Sequence, residues 1–188
     1  VKSSFYVTTP IYYVNAQPHM GHAYTTILAD VLNLFHKADG KDTFFQTGTD
    51  EHGEKIATAA AKKNMTPQEF TDDVSQTFRQ LWKTFKIEPS NFIRTTDDEH
   101  KAVVSAILNK VHDSGDIYFD HYDGLYCVGC ERYMTEKELV DGKCPDHDRE
   151  PEKRSESNWF FKMEKYRDWL RQYILDNPEF IQPDGFRK

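Results

Sequence analysis

No apolar run in the 188 residues approaches the roughly 18 residues that a membrane-spanning helix needs. Basic side chains are the minority, 24 Lys and Arg against 31 Asp and Glu, which sets the formal charge at -7. That balance argues against a protein that coats nucleic acid through a basic face, and leaves room for a local RNA-binding patch. Cysteine is scarce: there are 3, an odd number that cannot all pair within one chain. The opening Val1-Lys2-Ser3-Ser4-Phe5 also lacks the apolar stretch and small-residue cleavage site of an export signal. Val1 in place of Met implies a start that was altered or trimmed. Internal repeats and low-complexity tracts are missing as well. A soluble, cytoplasmic protein without membrane contact is expected. What is plentiful is aromatic, with 13 Phe, 10 Tyr and 3 Trp spread along the chain, enough for a real core.

The order of elements is legible from periodicity and punctuation. Phe5-Tyr6-Val7-Thr8-Thr9 reads as a strand that stops at Pro10. After a turn at Asn15-Ala16-Gln17-Pro18, the residues Ile27, Leu28, Val31, Leu32 and Phe35 fall at helical spacing until Asp39-Gly40. Thr43 to Thr47 reads as a second strand, so the chain opens as a βαβ unit with parallel strands. Thr66-Pro67-Gln68-Glu69 combines a capping box with Pro at the first helical position. Behind it runs an apolar stripe of Phe70, Val74, Phe78, Leu81, Trp82 and Phe85. Phe92-Ile93-Arg94-Thr95 suggests a short strand. Thr96 to Glu99 reads as a second capping box, followed by Val103, Val104, Ile107, Leu108 and Val111, with a stop at Ser114-Gly115. Alternation of this kind predicts α/β architecture: the first half of a doubly wound, Rossmann-like parallel sheet over residues 1–115.

The character then changes, and residues 116–188 are expected to form a separate piece. Ile117-Tyr118-Phe119 and Gly124-Leu125-Tyr126 suggest short strands, Asp141 to Ser157 is dense in charge, and Trp159 to Ile174 reads as an aromatic-rich helix. Lys162-Met163-Glu164-Lys165 invites comparison with a phosphate-binding lysine loop. The intervening carboxylate would repel phosphate, so an amphipathic helix is the expectation there.

Two constellations carry chemistry. His19-Met20-Gly21-His22 lies where a loop after the first strand becomes a helix, the position at which open α/β sheets bind ligands. Imidazoles three residues apart share one face of the first turn, and Gly21 lets a ligand approach the backbone. The helix N-terminus offers N–H groups and positive dipole to phosphates, so the pair could stabilise charge on a nucleotide during displacement. The alternative is a pair of helix-start histidines satisfied by neighbouring carbonyls. The second constellation is Cys127-x2-Cys130-x13-Cys144-x2-His147. Two such knuckles aim four ligands at one tetrahedral ion, and a closed Cys3His shell predicts a structural ion, Zn2+, rather than a catalytic one. A third cluster, Gly48 to Gly53, ends the second strand. Asp50 there could hold a substrate ammonium, or simply cap the next helix.

At these residues the chain resembles the amino-terminal part of the methionyl-tRNA synthetases, a family of class I aminoacyl-tRNA synthetases. The resemblance covers essentially the whole chain. It rests on Tyr6 through Asn15, Pro18-His19-Met20-Gly21-His22, Thr47 through Gly53 and Phe92 through Thr96, with the knuckle resembling one in the family's connective insertion. It implies activation of L-methionine by ATP and transfer to tRNA(Met), with Mg2+ accompanying ATP. By position, His19, Gly21 and His22 would contact ATP, with His19 and His22 stabilising the transition state. Pro10, Ile11 and Tyr13 would border the methionine side chain, and Asp50 would receive its ammonium. Met20 replaces the commoner Ile or Leu. The family's Lys-Met-Ser-Lys-Ser signature is absent through Lys188, so the chain alone is expected not to aminoacylate. If the enzyme is split, a second chain would carry the rest. A complete small H-x-G-H nucleotidyltransferase and a noncatalytic zinc-knuckle module binding RNA or protein are the competing expectations.

Overall fold

A computed structural model describes residues 2–187. The chain folds as two compact units that divide between Ser105 and Ala106. The first contains a parallel three-stranded sheet in the order β1-β2-β3, built from β1 (Ser4–Tyr13), β2 (Asp42–Asp50) and β3 (Asn91–Arg94). Helices α1 (Met20–Ala38), α2 (Glu54–Lys62) and α3 (Pro67–Thr84) connect the strands. The division falls within α4 (Asp98–Asp113), and Gly115 ends that helix in the left-handed conformation, with φ +73. There Gly115 N–H bonds to His112 and Asp116 N–H to Val111, a Schellman stop.

The core of the first unit is aromatic and follows the α3 stripe. Phe70, Val74, Phe78 and Trp82 are buried together with Tyr12, Val14, Phe45 and Ile56. The start of α3 is the expected capping box: Thr66 Oγ1 accepts the Glu69 N–H, and a Glu69 carboxylate oxygen accepts the Thr66 N–H at 2.8 Å. Helix α1 behaves differently. Its buried residues are Thr26, Ala29 and Asn33, while the stripe that marks it in sequence points outward, with Val31 55% and Phe35 64% exposed. The second expected capping box is also not used. Asp97 accepts the first helical bond of α4, from Lys101 N–H, because the Thr96 hydroxyl is drawn to Glu51 instead.

The second unit contains an antiparallel sheet, β5-β4-β6, formed by β4 (Ile117–Cys127), β5 (Arg132–Met134) and β6 (Glu152–Phe161), and a helix α5 (Arg167–Asp176). The two short strands expected around residues 117–126 are one strand. The expected helix from Trp159 is a correction of a different kind. Trp159, Phe160 and Phe161 belong to β6 and pair with Phe119, Tyr118 and Ile117. Cross-strand aromatic contacts fix them there, with ring centroids 5.4 Å apart for Phe119–Trp159 and 5.8 Å for Tyr118–Phe160, so pairing overrides an accidental helical spacing. Met163–Tyr166 is a 3-10 turn leading into α5, not part of one long amphipathic helix. Its Lys165 is tied to the Asp116 carboxylate at 2.5 Å. No described helix is long and apolar enough to cross a membrane.

Candidate functional site

The H-x-G-H segment builds its own geometry. His19 is the N-cap of α1, with extended backbone at φ -126 and ψ 176. Its Nδ1 accepts the Gly21 N–H at 3.1 Å, while His22 Nδ1 accepts the His19 N–H at 3.2 Å. The two imidazoles thus form a reciprocal capping box. Their rings stack with centroids 3.7 Å apart. An Nδ1 that accepts leaves the proton of the neutral ring on Nε2, so each ring keeps an Nε2–H donor outside the cap. Burial, and then the charge of His19, lower the His22 pKa, which favours the neutral donor form near pH 7. A Cβ on Gly21 would lie 3.0 Å from His19 Cε1, crowding the ring out of its capping position.

Tyr12 supports this turn from below. Its ring lies 4.7 Å from that of His22 and 5.6 Å from Phe78, centroid to centroid. Its hydroxyl shares a 2.7 Å hydrogen bond with Thr26 Oγ1, which donates to the His22 carbonyl. Tyr12 has no motif of its own, and its neighbours Ile11 and Tyr13 draw the eye in sequence. Only burial on the α1 side of the strand distinguishes it.

Strand register assembles the second set of candidates. Ile11 lies opposite Gly48, Tyr12 opposite Thr49 and Tyr13 opposite Asp50. Pro10 sits within the register shift between Thr8 and Ile11, as expected of a residue with no N–H to donate. Val14 N–H bonds to the Asp50 carbonyl at 3.2 Å. Ile11 is exposed, and Tyr13 and Asp50 are half-buried. Asp50 does not cap α2, whose N-cap is Gly53. Among the described residues, no hydrogen bond or ion pair engages the Asp50 carboxylate. All of these groups lie in the C-terminal parts of adjacent parallel strands or just beyond them, the end at which such sheets take ligands.

Sequence reasoning missed a polar network next to Asp50. The Glu51 side chain is fully buried and all of its acceptor capacity is used. Oε1 accepts from Thr49 at 2.6 Å and from Arg94 Nε at 2.8 Å; Oε2 accepts from Arg94 at 2.8 Å and from Thr96 at 2.5 Å. The Glu51 N–H donates to Thr95 Oγ1 at 2.9 Å. Arg94 also meets Asp72 of α3 at 2.5 Å, and that guanidinium bond lowers the Asp72 pKa. The only sequence signal was a pair of opposite charges at two strand ends, with nothing to say that they meet.

In the second unit, one ligand atom from each of Cys127, Cys130, Cys144 and His147 lies within 4.8 Å of the others. Cys130 Sγ is 3.5 Å from Cys144 Sγ, and His147 Nδ1 is 3.4, 3.7 and 3.9 Å from the sulfurs of Cys130, Cys144 and Cys127. Tetrahedral bonds to sulfur near 2.3 Å and nitrogen near 2.0 Å give edges of about 3.5–3.8 Å, so the cluster fits a metal ion and could hold one. A disulfide would need about 2.05 Å between sulfurs. The hydrogen bond with Cys144 pushes the Cys130 thiol up to about 12. Three thiols this crowded ionise together only around a cation. Gly129 makes room for the set, since a Cβ there would lie 2.5 Å from the His147 ring.

A parallel βαβ half-sheet with a self-capped H-x-G-H turn after its first strand, followed along the chain by a Cys3His knuckle, has the α/β architecture of the class I synthetases. The profile described as tRNA synthetases class I (M) matches residues 5–150, and the chain belongs to that family, to its amino-terminal region. It is 50% identical over 184 residues to a methionine–tRNA ligase of Clostridium acetobutylicum, covering 98% of this chain and 29% of that protein. A Clostridium perfringens methionine–tRNA ligase is 49% identical over 184 residues, 98% of this chain and 28% of its own length. Among solved structures, Mycobacterium tuberculosis methionyl-tRNA synthetase in complex with methionyl-adenylate superposes with a TM-score of 0.90 at 38% identity, covering 98% of this chain and 37% of that one. The chain thus spans less than a third of the length of these curated relatives. The nucleotidyltransferase and binding-module alternatives draw no support from these comparisons.

Proposed function

We propose that this chain carries the ATP- and amino-acid-recognition elements of a cytoplasmic methionine–tRNA ligase. In the first step the methionine carboxylate attacks the α-phosphorus of ATP, pyrophosphate leaves, and methionyl-adenylate forms. In the second a terminal ribose hydroxyl of tRNA(Met) attacks the acyl carbon and AMP leaves. His19 and His22 direct their Nε2–H groups at the phosphates and stabilise the charge that builds in displacement, while Gly21 allows the nucleotide close to the α1 N-terminus. Asp50 accepts the substrate ammonium, and Ile11 and Tyr13, with Pro10 beside them, border the soft thioether. Mg2+ accompanying ATP neutralises phosphate charge. Cys127, Cys130, Cys144 and His147 would hold Zn2+, which would serve structure rather than the reaction.

The observation that carries this reading is the pre-set imidazole pair after β1 together with the Asp50 carboxylate at the C-terminal end of the neighbouring strand β2. The outward apolar stripe of α1 supports a further part of it, that catalysis needs more polypeptide than these residues. Methionine-dependent ATP–pyrophosphate exchange tests both parts. A protein of full family length should be active, and His22→Ala should lower its kcat by about 10²–10³-fold, the loss typical of removing one transition-state donor. The 188-residue chain alone should give no exchange. Wild-type exchange by His22→Ala would refute the role of the pair, and full-rate exchange by the isolated chain would refute the need for more polypeptide.

A further inference from the structure

Asp50 lies between two residues that are locked on the same side of the chain. The Thr49 hydroxyl and the Glu51 carboxylate meet at 2.6 Å, so side-chain alternation sends Asp50 to the opposite side. Thr49 is further held by Ser75 of α3 at 3.3 Å. Glu51 is held by both of its oxygens on Arg94, and by its N–H on Thr95. Arg94 itself is pinned at both ends. Its N–H donates to Asp97 at 2.9 Å, and its guanidinium reaches Asp72. A buried ion pair is a poor device for stability, because well-packed apolar residues often do as well. It is a good device for fixing geometry, since the bidentate fork permits one orientation.

We propose that Arg94 is a positioning residue for amino-acid recognition: by clamping Glu51 it holds the β2 end so that the Asp50 carboxylate meets the substrate ammonium. This rests on the reading of Asp50 as the ammonium acceptor. Arg94 touches no substrate atom in this role. Its removal frees the strand end on which Asp50 stands, and a misplacement of about 1 Å in a substrate-binding group can cost up to about 100-fold.

The test is ATP–pyrophosphate exchange by the full-length protein with Arg94→Ala, Arg94→Lys, Thr96→Val and Asp50→Asn, each checked for folding by circular dichroism. Two competitors separate the ends of the substrate: methioninol, which keeps the ammonium, and 4-(methylthio)butanoate, which lacks it. Arg94→Ala should raise the methionine KM and the methioninol inhibition constant by at least about tenfold. The ATP KM and the inhibition constant of the deaminated acid should stay within about twofold, and Arg94→Lys should recover part of the loss. If Arg94→Ala does not fold, Thr96→Val removes one bond to the same carboxylate and should give the same pattern at about threefold. An unchanged methionine KM, or parallel weakening of ATP and the deaminated acid, overturns the proposal. Asp50→Asn separates the two levels. If it weakens methioninol while Arg94→Ala does not, only the positioning role falls; if it leaves methioninol binding unchanged, the ammonium reading falls and the proposal with it.

Discussion

Gly48 offers a sharp test of how tightly the site-bearing sheet is built. It lies in β2 opposite Ile93, where an added Cβ would sit 2.1 Å from the Ile93 carbonyl oxygen and 2.7 Å from its Cγ2. Carbon and backbone oxygen approach to about 3.3 Å at closest, so Gly48→Ala requires β2 and β3 to part by roughly 1.2 Å at that point. The backbone oxygen cannot rotate away as a flexible side chain would. Removing glycine freedom from the unfolded chain would by itself stabilise by about 0.4–1 kcal/mol. Overpacking a tight interior costs about 1–3 kcal/mol and outweighs it. The net loss of about 1–2 kcal/mol corresponds to a fall in Tm of roughly 4–16 °C for a unit of this size. Thermal unfolding followed by circular dichroism, with Gly185→Ala as the control because nothing lies within 4 Å of its Cβ, measures the difference. Equal Tm for Gly48→Ala and the control would refute the claim that close strand approach requires this glycine.

Two further outcomes follow from the second unit. Its buried hydrophobic cluster is small, Cys127, Met134 and Cys144, so metal ligation is expected to hold residues 127–149: mass spectrometry should find one divalent ion per chain. Cys144→Ser or a chelator should then abolish amide protection there while leaving β1–β3 unchanged. The Glu138 carboxylate accepts from the Thr135 backbone, from Arg132 and from the Thr135 hydroxyl, which together lower its pKa from 4.5 to about 2. Because the folded value lies below the unfolded one, the stabilising bonds are fully present above about pH 4.5 and are lost as pH falls toward 2. Carboxyl NMR should place the Glu138 midpoint near 2, and a midpoint above 4 would refute those contacts.

Elements whose pattern and packing agree were legible in advance. The α3 capping box and the buried Phe70, Val74, Phe78 and Trp82 of its stripe came through, because they act within one helix, whereas Phe85 is the exposed C-cap beyond it. The α1 stripe correctly marked a helix and misled about its core, since Thr26, Ala29 and Asn33 face inward. Periodicity reports an amphipathic surface, and which face packs depends on neighbours that sequence does not reveal. The helix expected over Trp159–Ile174 is present only from Arg167, and its first residues differ for a related reason. Aromatic residues suit both a helix face and a strand, and pairing with β4 decided for the strand.

What the sequence determined by itself is local chemistry. The H-x-G-H turn closes on residues two and three apart, and the Cys127–Cys130 and Cys144–His147 knuckles join residues three apart, so short-range backbone geometry suffices to bring those groups near each other. Tertiary structure decided the rest of the site. Tyr13 meets Asp50 only through strand register, Tyr12 lies beneath His22 only because α1 packs over β1, and Glu51 finds Arg94 across 43 residues. Pairings of that kind depend on sheet order and on the twist and register of strands, which no window of neighbouring residues encodes.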